Sequence, residues 1–266
     1  MKPLNARPLR IPPRRPEAVR GGHWLAGRSR PPFPNLAMLP DPWCAAEQPF
    51  TAQARDAFFE RVRGLARALE ERDPWSRGHS EHVTRYALGI AWMLGLDAPE
   101  VDALRRAAQV HDVGKIGVPD GILGKPQSLT PEERRLVQQH ALIAVQILDQ
   151  AQCLGHEIPL VRHHHEHWDG TGYPDGIRGC RIPGGARILA VADTFDAVTS
   201  RRAYRPPRTI AEAVHVLREE SGRQFDPDMV DAMLTWVERI GHGTGKAGHL
   251  APEDLLSAPA GARGDA

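Results

Sequence analysis

His111 and Asp112 stand side by side in the run Gln109-Val110-His111-Asp112-Val113-Gly114-Lys115. His79 precedes them and His140 follows at a comparable separation, with His164-His165-Glu166 and Asp193 farther along. Imidazole and carboxylate are the ligand set of zinc, manganese and iron, and carboxylates brought together in a fold need a cation between them. Taken singly, His79 and His140 are each compatible with plain packing in an apolar helix. Asp112 and Asp193 are harder to place without an ion. Asp112 follows an apolar helical segment, and Asp193 ends the run Ile188-Leu189-Ala190-Val191-Ala192. Burying a carboxylate is costly unless it is paired, and Lys115 is the one lysine close to either in sequence. The pattern therefore predicts a metal site drawn from His79, His111, Asp112, His140, His164, His165 and Asp193.

Helices must position these groups. Phe58, Val62, Leu65 and Leu69 recur at steps of three and four, which predicts an amphipathic helix from Ala52 that stops at Asp73-Pro74. A second helix is predicted from about Gly78 to Leu94, its stripe beginning at His79, and a third from Glu100 to His111. Thr130-Pro131-Glu132-Glu133 reads as a helix start, with a Thr cap, proline in the first turn and acids at the positive end of the dipole. Leu136, Val137, His140, Ala144 and Ile147 then fall on one face of a single helix. Pro159 is read as opening the helix that bears His164 and His165. Further helices are predicted over Pro183–Arg201, carrying Asp193, and over Ile210–Glu220 and Pro227–Arg239. Alternating β-type segments are nearly absent, so the predicted class is all-α.

Composition sets bounds on partners. The chain has 266 residues and 34 basic against 33 acidic side chains, a formal charge of +1, which argues against a nucleic-acid coat. Cys44, Cys153 and Cys180 are odd in number and widely spaced, so neither a disulfide framework nor a zinc knuckle is indicated, and a reducing compartment fits. No apolar run approaches the ~20 residues of a bilayer span, and no apolar segment follows the basic N-terminus as in a secretory signal. The expectation is a cytoplasmic protein without a membrane partner. Residues 1–51 are crowded with Pro and Arg and read as a disordered or docked extension. Residues 52–240 read as the catalytic domain, and 241–266 as a Gly/Ala/Pro-rich, frayed tail.

The ordered motifs resemble those of the HD-GYP family of metal-dependent phosphohydrolases. The resemblance runs from about Glu70 to about Glu238. It rests on Arg77-Gly78-His79-Ser80, His111-Asp112 with Gly114-Lys115, Ile116-Gly117-Val118-Pro119-Asp120, and His164-His165-Glu166-His167-Trp168-Asp169-Gly170-Thr171-Gly172-Tyr173-Pro174. Val191-Ala192-Asp193 and Gly222-Arg223-Gln224-Phe225-Asp226-Pro227 extend it. It implies an HD-domain-like helical bundle around a binuclear metal site, a GYP loop and additional C-terminal helices. It further implies a cyclic di-GMP phosphodiesterase yielding linear pGpG, with onward cleavage to GMP left open. Asp112 would bridge two divalent ions, with His79, His111 and Asp193 on one and His140, His164 and His165 on the other. Those ions would activate a bridging water and bind phosphate oxygens. Lys115 would neutralise charge on the reacting phosphate, while a plain surface lysine after a helix end is its simpler reading. Gly172, Tyr173 and Pro174 would form the substrate rim, and Arg202 and Arg205 would bind phosphate or the guanine edge. Asp169, Asp196 and Glu166 would lie behind the ligands, the first two orienting imidazoles.

Some positions depart from the resemblance. Trp75 stands where three-metal members carry a glutamate, so two ions rather than three are expected, with iron or manganese favoured over zinc. Arg201, Ala203 and His82 replace the usual Asp, Pro and Arg, and His163 and His167 are available as decoy ligands. Two rivals remain: a phosphohydrolase for another cyclic dinucleotide, and an idle module that docks on diguanylate cyclases or other signalling proteins. A missing ligand would have favoured the idle module, and none is missing.

Overall fold

The computed structural model describes residues 51–72, 76–125, 127–150, 154–200, 207–245 and 250–257. They form helices α1 (Ala52–Arg72), α2 (His79–Leu94), α3 (Ala98–Val110), α4 (Asp120–Leu123), α5 (Pro131–Gln138), α6 (His140–Asp149), α7 (Glu157–His163), α8 (Gly184–Thr199), α9 (Ile210–Glu219), α10 (Pro227–Gly243) and α11 (Pro252–Ser257). Two short 3₁₀ turns, Val113–Gly117 and Gly179–Arg181, complete the described elements, and no strand occurs among these residues. The all-α expectation holds.

Local chemistry starts and stops the helices. Capping boxes open α3 (Asp97 with Glu100), α5 (Thr130 with Glu133) and α9 (Thr209 with Glu212), while Asp226 caps α10 ahead of Pro227. Gly95, left-handed at φ 70°, closes α2 by donating its N–H to the Ala91 and Trp92 carbonyls. The core is centred on α2, which packs against α3, α8 and α10. Tyr86 meets Phe195 and Trp236 edge-on, with ring centroids 5.0 and 6.2 Å apart. The first residue of α2 and the middle of α8 are thereby held facing the ends of α3 and α7.

Three expectations need correction. The predicted single helix through Leu136 and Ile147 breaks at Gln139 into α5 and α6, and Leu136 is 49% exposed. The break has a local cause: the His140 ring bonds the Val137 carbonyl at 2.7 Å, competing with the backbone ladder there. Pro159 lies inside the first turn of α7 rather than opening it, where a missing N–H costs nothing. His164 and His165 follow α7 instead of riding on it. Beyond Gly241 the chain is not simply frayed: α11 packs the fully buried Leu255 on the core, and the Leu255 carbonyl accepts from Arg85 Nε at 3.3 Å.

Candidate metal centre

Three of the sequence-predicted histidines share one construction. His111 caps the end of α3, His140 comes two residues past the end of α5, and His164 caps α7. Helix ends leave carbonyls without partners. Each of these rings takes one: Nδ1 bonds the carbonyl three residues back, of Ala108 (2.8 Å), Val137 (2.7 Å) and Val161 (2.7 Å) respectively. A carbonyl can only accept, so Nδ1 carries a proton in each ring, and in the neutral ring Nε2 is the nitrogen that holds the lone pair. All three Nε2 atoms are buried and have no hydrogen-bond partner. Leaving a buried acceptor unpaired costs about 1–3 kcal/mol, and three at one point amount to a site built for a Lewis acid.

Asp112 connects the cluster. Its Oδ2 lies 3.6 Å from His79 Nε2 and 3.5 Å from His111 Nε2, while its Oδ1 lies 3.5 Å from His140 Nε2. These separations exceed good hydrogen bonds and suit donors that share a cation. Ligand atoms of His79, His111 and Asp193 lie within 4.8 Å of one another, as do those of His140, His164 and His165, and those of His111, Asp112 and His164. The seven predicted ligands are therefore together. Glycine makes the approach possible: a Cβ on Gly114 would collide with the His140 carbonyl, so the turn after Asp112 can press directly onto the start of α6.

The electrostatics divide the cluster. Burial pushes His140 and His164 below the usual imidazole range and takes His165 down to about 3, with neighbouring imidazoles adding to the effect on His164 and His165. These rings are neutral and ready to ligate. On the other side burial alone would lower His79, but the Asp193 and Asp196 carboxylates outweigh it and raise the ring to about 10 in the absence of an ion. Burial opposes ionisation of Asp112 and Asp193 too. Lys115 and the surrounding imidazoles nonetheless hold Asp112 well below the carboxylate range, and His79 does the same for Asp193. Neutral imidazoles, ionised carboxylates and bare lone pairs fit one or more divalent cations.

The supporting residues divide differently from the sequence expectation. Asp196 is buried and accepts from His79 Nδ1 at 2.7 Å and from Ser200 Oγ at 2.9 Å. It also meets His82 Nδ1 at 2.9 Å, a partner sequence reasoning missed. The signal was present, since residues three apart on a helix share a face. Asp169 does not orient a ligand imidazole: it is exposed and accepts from the Thr171 amide and hydroxyl, shaping its own loop. Glu166 receives the Asp175 and Gly176 amides at 2.7 and 3.0 Å and so anchors the loop rather than a ring. His167 pairs with Thr171 Oγ1. Lys115 Nζ reaches Asp112 Oδ2 at 2.5 Å.

Tyr173 donates its amide to the His165 carbonyl at 3.1 Å and lays its ring 4.9 Å from the His165 ring. Gly172 passes so close to the His165 backbone that any side chain there would overlap it. Burial and the Asp112 and Asp193 charges raise the Tyr173 hydroxyl, which stays protonated and able to donate. Trp75, Arg201, Arg202, Ala203 and Arg205 lie outside the described residues.

A helical bundle that turns buried imidazoles and carboxylates onto one point defines the class as metal-centred and all-α. The chain belongs to the HD domain family, matched over residues 63–229, and to its HD-GYP members. It is 42% identical over 199 residues to a cyclic di-GMP phosphodiesterase of Thermotoga maritima, covering 73% of this chain and 53% of that protein. It is 36% identical over 189 residues to the 3'3'-cGAMP-specific phosphodiesterase 2 of Vibrio cholerae, covering 70% of this chain and 36% of that protein. The chain thus spans about half or less of these relatives' length. Among solved structures, Bd1817, an HDG"Y"P protein from Bdellovibrio bacteriovorus, shares the fold with a TM-score of 0.51 at 20% identity, over 70% of this chain and 62% of that one. No helix among the described residues is long and apolar enough to cross a membrane.

Proposed function

We propose that this chain is a cytoplasmic phosphodiesterase of cyclic dinucleotides that opens cyclic di-GMP to linear pGpG at a centre of two iron or manganese ions. The observation that carries the reading is Asp112, whose Oδ2 faces His79 and His111 while its Oδ1 faces His140. His79, His111 and Asp193 would hold one ion and His140, His164 and His165 the other, with Asp112 shared. When bound, the pair would supply Lewis acidity to a phosphate oxygen and a water acidic enough to attack near neutral pH.

The chain's own groups do the rest. Asp196 fixes the His79 ring through Nδ1, which leaves Nε2 facing Asp112 and Asp193. Lys115, held against Asp112, places a positive charge where charge builds on the phosphate. Tyr173, still protonated, offers a hydroxyl to substrate while its ring shields the His165 side of the cluster from water. Arg202 and Arg205, which follow α8 in sequence, would bind the phosphates or the guanine edge.

The test is to purify the protein anaerobically, measure its metals, and incubate it separately with cyclic di-GMP and 3'3'-cGAMP before chromatography of the products. Release of pGpG, with cyclic di-GMP the faster substrate, is expected. Faster cleavage of 3'3'-cGAMP would reassign the substrate. Metal-replete protein that cleaves neither would overturn the reading and favour the docking module.

A further inference from the structure

We propose that His163, Glu166 and Asp175 form a second, separate metal site, which takes a divalent first-row transition ion and pins the loop after Pro174 to the end of α7. The proposal stands independently of the phosphodiesterase reading. The three side chains surround a point of their own, with ligand atoms all within 4.8 Å of one another.

One of those side chains turns a buried nitrogen with nothing to bond toward the other two: His163 Nδ1. Glu166 is 2% exposed, and its Oε1, the oxygen nearer His163, is held in place by the Asp175 and Gly176 amides. The His163 nitrogen lies 3.5 Å from Asp175 Oδ2 and 3.8 Å from Glu166 Oε1. Those distances are long for hydrogen bonds. They are close to the ~3.4 Å that separates nitrogen and oxygen donors arranged tetrahedrally around a shared ion at ~2.1 Å. One imidazole with two carboxylates is a donor set that zinc and its neighbours accept, and the partly open Asp175 side leaves room for water in the remaining position.

Arg162 engages Asp175 through Nε and Nη2, both at 2.8 Å. Carboxylate oxygens keep further lone pairs, so the arginine positions Asp175 without exhausting it. With three protein ligands and an open side the site should be weaker than the buried centre, filling only when metal is in excess. Its ion would lock residues 175–176, which follow Tyr173 and Pro174 in sequence, against α7.

The test is equilibrium dialysis of Zn²⁺ against anaerobically purified protein already carrying its tightly held metal, with the ions of each kind counted per chain. We expect one additional Zn²⁺ in the wild type. Asp175→Asn and His163→Gln should each weaken that binding by about tenfold or more. Arg162→Gln, which removes the ion pair but no donor, should retain it. Amide hydrogen exchange of residues 170–178 should slow on adding Zn²⁺ to the wild type and not to Asp175→Asn. Equal additional zinc in all four proteins, or none in the wild type, would overturn the proposal. Loss of the tightly held metal would instead count against the binuclear centre, so the two failures are distinguishable.

Discussion

At the scale of residues, the centre depends on where each proton and lone pair is kept. Asp196 illustrates this: it touches no proposed ion position and acts through the His79 ring. Asp196→Asn should lower metal affinity about 10–100-fold while the helical circular dichroism is retained, as a metal titration followed by activity would show. Unchanged affinity would reduce Asp196 to a structural anchor. Arg202→Ala and Arg205→Ala should weaken substrate binding by about 1.5–3 kcal/mol, the worth of a charge-assisted contact, and leave metal content unchanged. Calorimetry with cyclic di-GMP and Ca²⁺ in place of a reactive metal checks this, and equal affinity in both variants would return the segment to a solvated basic surface.

The depressed imidazoles also predict a pH dependence for metal-free protein. His165 falls to about 3 in the fold, against an ordinary value near 6.5. Between these values the unfolded chain binds a proton that the folded chain refuses, so stability declines as pH falls through that window. The melting temperature of EDTA-treated protein should therefore drop on acidification below about 6.5, and less steeply in His165→Gln. A flat profile in the wild type would contradict the burial argument.

At the scale of elements, most helices were legible because their boundaries are written in local chemistry. The Thr130 start with its proline and acids, and the stripe starting at His79, needed no tertiary information. The break at Gln139 was not legible, because the apolar period runs through it unbroken. It depends on the His140 ring taking the Val137 carbonyl, which no spacing announces. Nor does composition reveal α11, whose order comes from burying Leu255 on a core assembled from distant segments. The same reasoning explains the supporting residues. Ligand types and order could be read directly, whereas the Asp196 pairing with His82 and the loop roles of Asp169 and Glu166 depend on how α2, α8 and the loop meet. Gly114 gives an element-scale prediction. Gly114→Ala should push the 3₁₀ turn off α6, costing about 1–3 kcal/mol of stability and loosening metal binding together. Chemical denaturation with and without EDTA would show both losses, and a neutral substitution would mean the close approach is dispensable.

At the scale of the whole molecule, the bundle turns the ends of α3, α5 and α7 toward the start of α2 and the middle of α8. Trp75, four residues before His79, supplies an N–H but no lone pair, so we expect the buried centre to hold two ions and no third beside His79. A loop-bound ion of the kind inferred above would appear only under excess metal and would vanish with Asp175→Asn. Both proposed ions depend on the shared Asp112 carboxylate. The most direct measurement is the metal content of Asp112→Ala beside the wild type, both purified anaerobically without added metal. We expect two ions per chain in the wild type, and in the variant loss of both ions and of hydrolysis with a lowered melting temperature, since bound ions stabilise only the native state. A variant that kept its metals and turned over normally would contradict this expectation.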